Sequence, residues 1–243
     1  YATTDALSET LWPEDLLAKV TPWLDEVCRE IDHNRLDLYV AAGKPVAVGN
    51  ISELALAVER GAIPEVRECI PVHNDYALQA LADMGAEGVW LNSELTLQEI
   101  CHMARNASIP VGYMVSGRIR TMTTEHCILM STGKCIHDCD TCKLRLEEHT
   151  LRGIDNDYMP VRTDRHGRSK IWSPKLFDGV PEMAEMLSCG VKHFMVDATL
   201  LSAEETREAT SRVAAAIAAT ASGASLPARL KDASVGHLFS PIG

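Results

Sequence analysis

The feature that most constrains the fold is a unit that the chain repeats: a helix, then a glycine, then a buried strand. The unit reads ALAVERGAIPEVREC at 55–69, ALADMGAEGVWLN at 80–92 and MLSCGVKHFMVD at 186–197. Each helix is followed by a glycine (Gly61, Gly85, Gly190), the residue that most easily adopts the left-handed conformation ending a helix. Each strand is apolar on both faces, as parallel strands covered by helices are. Short units of this kind indicate a parallel α/β sheet or barrel with right-handed crossovers.

Hydrophobic periodicity places the elements along the chain. It predicts helices over 13–31, 51–60, 76–84, 94–106, 178–188 and 203–221. It predicts strands over 45–50, 66–72, 88–92, 110–115, 158–163, 169–173 and 191–197. A complete eight-unit barrel needs more units than these. The expected fold class is therefore α/β: a parallel, TIM-barrel-like (β/α) domain that need not be complete, with an irregular cysteine-rich insertion over 116–158.

Three regions follow from this pattern. Residues 1–44 are expected to be an N-terminal helical segment, residues 45–206 the α/β domain with its cysteine-rich segment, and residues 207–243 a C-terminal helix and tail. The tail is a candidate for packing against a neighbouring domain, and a homo-oligomer is an alternative partner. The chain starts without Met, which is typical of a piece of a longer protein or of a processed one.

Charge and composition exclude some function classes. The net charge of −11 disfavours a broad nucleic-acid-binding surface. For the basic stretch 162–170, a solvated turn between strands is favoured over a binding patch. No apolar run has the length of a membrane span, and the first residues lack the features of a signal peptide. These observations predict a cytoplasmic protein without membrane partners, whose cysteines are reduced thiols. Glycine-rich phosphate loops, HExxH and GxSxG are absent from the sequence.

Four cysteines lie close together in the segment where the periodicity is lost: Cys127, Cys135, Cys139 and Cys142. Thiolates ligate zinc and iron–sulfur clusters, and a short-spaced triple with a more distant fourth cysteine favours a cluster over a zinc ribbon. Thiol redox chemistry at Cys139 and Cys142 is an alternative, as is no role at all. His126 and His137 flank the cysteines and are interpreted as bystanders. The other cysteines (Cys28, Cys69, Cys101, Cys189) fit apolar core patterns.

Four stretches of the sequence carry a family resemblance: VSGRIRTMTTEHCILMSTGKCIHDCDTCKLRL, IDNDYMPVRTDRHGRSKIWSPKLFD, SCGVKHFMVDATLLSAEE and, upstream of these, HNDYALQALADMGAEGVWLNSELTLQEI. They are similar to peptidase family U32, the collagenase-like peptidases of bacteria. The resemblance covers about residues 45–206, with the motifs in the family's order. It implies a peptidase. It also implies an alternative, because several members are iron–sulfur proteins required for hydroxylating RNA bases or a quinone precursor.

The resemblance also bears on the ligands. It implies cluster ligands at Cys127, Cys135 and Cys139, with a fourth cysteine further along the chain. This sequence has His166-Gly167-Arg168 there, so the fourth ligand is either Cys142 or His166, or the cluster has been lost. We expect Cys142, with a 4Fe–4S cluster or zinc as the cofactor.

Candidate catalytic residues stand at the carboxyl ends of strands, where α/β active sites collect. His73, Glu94 and Asp197 are expected to point into one pocket. The structural alternatives are a first-turn helix contact for Glu94 and a helix N-cap for Asp197. Three functions stay open: a U32-type peptidase acting on peptides, an iron–sulfur protein supporting hydroxylation of RNA or a small molecule, and a non-catalytic module whose metal pins the irregular segment.

Overall fold

The computed structural model describes residues 1–154 and 156–241. Its strands are β1 (Ala2–Thr3), β2 (Pro22–Trp23), β3 (Pro45–Val48), β4 (Ile63–Val66), β5 (Gly88–Trp90), β6 (Val111–Gly117), β7 (Arg120–Thr124), β8 (His149–Arg152), β9 (Tyr158–Thr163), β10 (Ser169–Trp172), β11 (Phe177–Asp178) and β12 (His193–Val196). Its α-helices are α1 (Thr4–Glu9), α2 (Glu14–Leu17), α3 (His33–Leu36), α4 (Ile51–Glu59), α5 (Asp75–Asp83), α6 (Leu97–Asn106), α7 (Ile128–Ser131), α8 (Met183–Cys189) and α9 (Ala203–Ser222). Short 3-10 helices cover Glu30–Asp32, Asp37–Tyr39, Lys143–Leu146 and Val180–Glu182.

The larger sheet is a curled half-barrel of eight strands. Strands β1 to β6 are parallel and lie side by side in chain order, and β12 pairs in parallel with the other side of β6. The short β11 runs antiparallel to the end of β6. The α/β class is confirmed. Among the described residues β12 and β1 are not paired, so the sheet stays open there.

Side-chain caps and buried helix faces explain why the repeated units fold as they do. The Asn50 and Asn74 side chains each accept a hydrogen bond from the first turn of the following helix, which begins α4 and α5. Thr96 and Glu99 form a capping box at the start of α6. The helices bury apolar faces against the sheet, and this core includes Leu54, Leu78, Ile100, Met103, Met183 and Met186. The glycines after α4, α5 and α8 have the positive φ angles that the sequence predicts.

A second, four-stranded antiparallel sheet in the order β7-β10-β9-β8 forms the frame of the cysteine-rich segment. The predicted strands at 158–163 and 169–173 are confirmed, but they belong to this sheet and not to the half-barrel. The insertion is therefore less irregular than expected. The cysteines themselves lie in the long connection between β7 and β8, which contains only short helical turns among the described residues.

Two predicted elements are wrong. The helix expected over 13–31 is reduced to α2, because Pro22 cannot continue a helix, and Pro22–Trp23 instead joins the sheet as β2. The N-terminal segment thus contributes two short strands as well as helices. The strand expected over 66–72 ends at Val66, and the real strand begins at Ile63. Ile70 and Val72 pack on the core from a loop, which gives the loop a strand-like pattern.

One pair of cysteines contradicts the expectation of reduced thiols. Cys101 on α6 and Cys189 at the end of α8 form a disulfide, with Cα atoms 5.2 Å apart. The bond closes a loop of 88 residues and ties together two helices that cover the same face of the half-barrel. Within the described residues, none of the helices combines the length and apolar character that a membrane crossing requires.

Candidate functional site: a large polar cavity beside a cysteine pocket

A cavity of about 830 Å³ lies between the carboxyl ends of the parallel strands and the antiparallel sheet. One side is formed by residues that follow strands of the half-barrel: Asp25, Glu26, Arg67, Glu68, Cys69, Asn92, Glu94 and Asp197. The opposite side is formed by residues of the antiparallel sheet: Arg120, Met122, Arg162, Lys170 and Trp172. This is the edge of a parallel sheet at which α/β proteins bind ligands.

A network of charges crosses the cavity between the two sheets. Arg120 reaches from β7 to carboxylate oxygens of Glu26 and Glu68, each at 2.8 Å. Arg67, only 2% exposed, stacks over the Trp23 ring at 4.6 Å and donates to the Leu24 carbonyl. Burial raises the pKa of the Glu68 carboxyl, but Arg67 and then Arg120 outweigh it and hold that pKa below its ordinary value. The Glu68 carboxyl that lines the cavity is therefore ionised at neutral pH.

Several buried polar atoms around this network lack a hydrogen-bond partner among the described residues. They are Glu26 Oε1, Glu68 Oε2, the Arg67 Nε atom and the Tyr113 hydroxyl. All four belong to residues that line the large cavity. Leaving a buried polar group unpaired costs about 1–3 kcal/mol. Their concentration at one cavity favours a polar occupant over an apolar one.

The three catalytic candidates are placed as follows. His73 Nε2 lies 3.5 Å from Glu94 Oε2, so these two side chains meet, and both are about half exposed. Glu94 and Asp197 line the large cavity, whereas His73 is not among the residues that line it. Asp197 accepts hydrogen bonds from the backbone and the hydroxyl of Thr199, which is a turn contact. Glu94 thus contacts His73 and shares the lining of the large cavity with Asp197, but all three do not line one pocket.

The four clustered cysteines line a second, small cavity of about 20 Å³. Burial and then the nearby thiols of Cys127, Cys135 and Cys142 raise the pKa of the Cys139 thiol. The backbone of Gly167, in the turn between β9 and β10, forms part of the wall. A Cβ atom added there would stand 3.6 Å from the Cys139 sulfur. The four thiols that the sequence singled out therefore line the same small cavity.

The histidines near the cysteines differ in position. His166, the alternative fourth ligand, lies with its Nε2 atom 3.8 Å from Asp5 and is not among the residues lining the cysteine pocket. His137 does line the pocket, and its backbone N–H donates to the Cys135 sulfur at 3.4 Å. His126 pairs with the Ser131 hydroxyl at 3.2 Å. This placement favours Cys142 over His166, and the choice stays a prediction.

The donor set fits a thiolate-bound group in number and chemistry. Four thiols converge on one pocket, and Gly167 leaves room above Cys139. Across the described part of the chain, no three His, Cys, Asp or Glu side chains stand close enough to share a single metal ion. A zinc ion with four thiolates at about 2.3 Å requires such closeness, since it holds its ligands within about 4 Å of one another. The pocket is therefore lined by four thiols that do not have the closeness of a one-ion metal site.

The two cavities have a common wall. Arg145, Thr163 and Asp164 line both the cysteine pocket and the large cavity. Asp164 Oδ1 closes the turn after β9 by accepting from the backbone of His166 and of Arg168, while Oδ2 has no hydrogen-bond partner in the described residues. A group held by the cysteines is thus separated from an occupant of the large cavity by single side chains.

A protein-family model, Peptidase family U32, matches residues 66–235. The chain belongs to peptidase family U32. The match contains the loop after β4, the whole antiparallel sheet and all four clustered cysteines of this U32 protein, but not the acidic loop after β2. Comparison with curated proteins and with solved structures gave no match.

Sequence reasoning missed the part of the site that comes from the N-terminal segment. Asp25 and Glu26 follow β2, which was expected to be helix, so their place at the strand ends was hidden. The signal that could have located them is the pair of acids that follows Pro22–Trp23 after one apolar residue, Leu24.

A second omission is a series of three polar side chains outside both cavities. Cys28 Sγ lies 3.8 Å from His33 Nε2, and His33 Nδ1 lies 2.9 Å from Asp37. Burial, followed by Glu53 and two aspartates, raises the pKa of the Cys28 thiol to about 11. Burial also raises the pKa of the Cys69 thiol, which lines the large cavity, to about 11, although Arg67 acts in the opposite direction. Both thiols are therefore protonated at neutral pH and are weak nucleophiles.

Proposed function

We propose that this U32 protein is an iron–sulfur enzyme, or the iron–sulfur component of one. In this proposal Cys127, Cys135, Cys139 and Cys142 hold a 4Fe–4S cluster beside a substrate cavity. The observation that carries it is the wall common to the cysteine pocket and the large cavity. When bound, such a cluster supplies one-electron chemistry at a potential set by its surroundings.

The spacing of the thiols supports a cluster over zinc. Along the sequence, a short-spaced triple of Cys135, Cys139 and Cys142 with the more distant Cys127 is typical of cluster ligands, whereas zinc ribbons carry two separated CxxC pairs. Zinc stays the alternative occupant.

The large cavity supports a substrate of limited size. Its volume of about 830 Å³ is typical of sites for small molecules or for one unit of a polymer. Arg120, Arg67, Glu26 and Glu68 would orient polar groups of the substrate. An RNA base and a quinone precursor, the substrate classes that the family resemblance implies, both fit these dimensions.

Peptide hydrolysis is the second candidate, because the family is one of collagenase-like peptidases and two arrangements could serve it. His73 and Glu94 form a base-like pair, and the series Cys28, His33 and Asp37 places a thiol beside an imidazole and a carboxylate. The raised pKa of the Cys28 thiol weakens the second arrangement. His73 has no serine or cysteine partner in the described part of the chain, which weakens the first.

One set of variants separates the two functions. Cys135→Ser should abolish iron and sulfide binding, while Cys69→Ser, which changes a cysteine of the large cavity, should retain both. Gelatin and a mixed peptide substrate should stay intact with all forms of the protein. Hydrolysis by the metal-free wild type that is lost in His73→Ala or in Cys28→Ala would establish the peptidase and refute the iron–sulfur enzyme.

A further inference from the structure

The turn between β9 and β10, residues 164–168, connects the cysteine pocket to the half-barrel. On one side, Gly167 lines the cysteine pocket, and a Cβ atom added to it would stand 3.6 Å from the Cys139 sulfur and 3.9 Å from the Cys127 Cβ atom. On the other side, the Arg168 side chain, 5% exposed, is buried between two carboxylates of the half-barrel. Its guanidinium lies 3.3 Å from Asp25 and 2.7 Å from Asp32.

Arg168 also contacts the strand that leads into the cysteines. Its Nε atom lies 3.6 Å from Glu125, two residues before Cys127. The next residue, Ser169, accepts a hydrogen bond from the backbone N–H of Ile128, which directly follows Cys127. Arg168 and Ser169, which follow Gly167 directly, are thus linked to the chain on the two sides of the first cysteine.

We propose that Arg168 is a positioning residue of the cysteine pocket. Its ion pairs with Asp25 and Asp32 fix the 164–168 turn so that Gly167 holds Cys127 and Cys139 at the spacing the bound group requires. The inference rests on the proposed function for the identity of that group, but the hold on the thiols is a property of the chain alone. Side chains behind metal ligands commonly change metal affinity by about 10–100-fold when they are removed.

The acidic loop after β2 thereby gains a role in the cysteine site. Asp25 and Asp32 lie outside the matched family region, far from the cysteines in sequence, yet their partner is the residue next to Gly167. The position where the family resemblance implies a fourth cysteine is filled in this chain by His166-Gly167-Arg168. We infer that this tripeptide contributes the wall of the pocket and its anchor, and not a ligand.

Arg35 supplies a matched control. It binds the same two carboxylates as Arg168, at 2.8 Å from Asp25 and 3.1 Å from Asp32, but is not among the residues lining either cavity. Arg168→Met and Arg35→Met therefore remove one charge each from the same ion-pair cluster. Of these two substitutions, only Arg168→Met is expected to release the 164–168 turn. Arg168→Lys retains a positive charge at the turn and should restore part of the wild-type behaviour.

The first measurement is the rate at which a chelator removes the bound metal from anaerobically reconstituted protein. We expect release to be about 10-fold faster or more in Arg168→Met, intermediate in Arg168→Lys and within about 2-fold of wild type in Arg35→Met. Wild-type rates in Arg168→Met, or equal acceleration in Arg35→Met, would overturn the proposal. Asp32→Asn breaks the same ion pair from the half-barrel side and should accelerate release if Arg168→Met does not fold.

The second measurement does not need a metal. In metal-free protein, Arg168→Met should change the alkylation rate of Cys127 several-fold, whereas Cys69 should react at the wild-type rate. If wild-type protein binds neither iron nor zinc, the proposed function fails while this measurement still tests the turn. Unchanged alkylation of Cys127 in Arg168→Met would overturn the positioning role whatever the metal content.

Discussion

Glu53 carries a carboxyl group that the fold buries almost completely, at 1% exposure. One oxygen accepts a hydrogen bond from the Gly49 backbone, and the other has no partner among the described residues. Burial raises the pKa of this carboxyl to about 7, although the Gly49 N–H and Arg67 act in the opposite direction. Glu53 stands directly behind the strand ends that form the site, so its charge state bears on the stability of that region.

The raised pKa gives stability a defined pH dependence. Between about pH 4.5 and 7 the folded protein binds a proton at Glu53 that the unfolded chain releases, so this group's contribution to the free energy of unfolding falls as pH rises. The full change is on the order of 3 kcal/mol. Glu53→Gln should flatten this part of the profile in urea unfolding measured from pH 4.5 to 8. An identical pH dependence in the variant and the wild type would contradict the assignment.

The disulfide between Cys101 and Cys189 yields a second prediction at the residue scale. Closing a loop of 88 residues stabilises a fold by about 4 kcal/mol, because it restricts the unfolded chain. The double variant Cys101→Ala/Cys189→Ala should lower the free energy of unfolding by an amount of that order. Cys28→Ala, which removes a partly buried cysteine outside the disulfide, should cost clearly less. Full alkylation of Cys101 and Cys189 in non-reduced, unfolded protein would show that the bond is absent.

At the scale of elements, the tail after α9 belongs to this chain's own core. Leu238 is 2% exposed, Ser234 bridges to Phe177 of β11, and Arg229 binds Asp178 and Glu182. Leu238 is therefore covered by this chain itself, without the neighbouring domain that the sequence suggests. These contacts place the tail beside β11, which pairs with the end of β6. β6 is the strand that leads from the half-barrel into the antiparallel sheet.

The tail's contribution can be measured with two adjacent residues. Leu238→Ala should lower the free energy of unfolding by about 2–4 kcal/mol, because it leaves a cavity in the core. Phe239→Ala should change it by less than about 0.5 kcal/mol, since that ring is 59% exposed. Equal effects in chemical denaturation would mean that the tail is not docked as described.

The elements also show how far sequence patterns reach. The repeat at 55–69, 80–92 and 186–197 predicts the parallel sheet because glycine-ended helices and doubly apolar strands are local signals. The antiparallel sheet was missed as a unit, since β7 pairs with β10 across the cysteine loop, a long-range contact without local signature. The clustered cysteines were found from spacing alone. The contributions of Asp25 and Arg168 were not, because charges that pair across 143 residues leave no periodic pattern.

At the scale of the whole molecule, the half-barrel and the antiparallel sheet enclose the large cavity between them. Arg120 and Arg168 both reach from the antiparallel sheet to acids in the loop after β2. Arg120 crosses the large cavity, whereas Arg168 anchors the turn beside the cysteines. The N-terminal segment therefore lines the candidate site together with residues of the family region.

The proposed iron–sulfur cluster, held by the four clustered cysteines beside the large cavity, can be measured directly. The measurement is the iron and acid-labile sulfide content per chain of anaerobically purified wild type, Cys142→Ala and His166→Ala. We expect about four iron and four sulfide in wild type and His166→Ala, as a 4Fe–4S cluster requires, and loss of both in Cys142→Ala. Full occupancy in Cys142→Ala with loss in His166→Ala would reassign the fourth ligand. Wild-type protein that contains stoichiometric zinc, or no metal, would refute the iron–sulfur cluster.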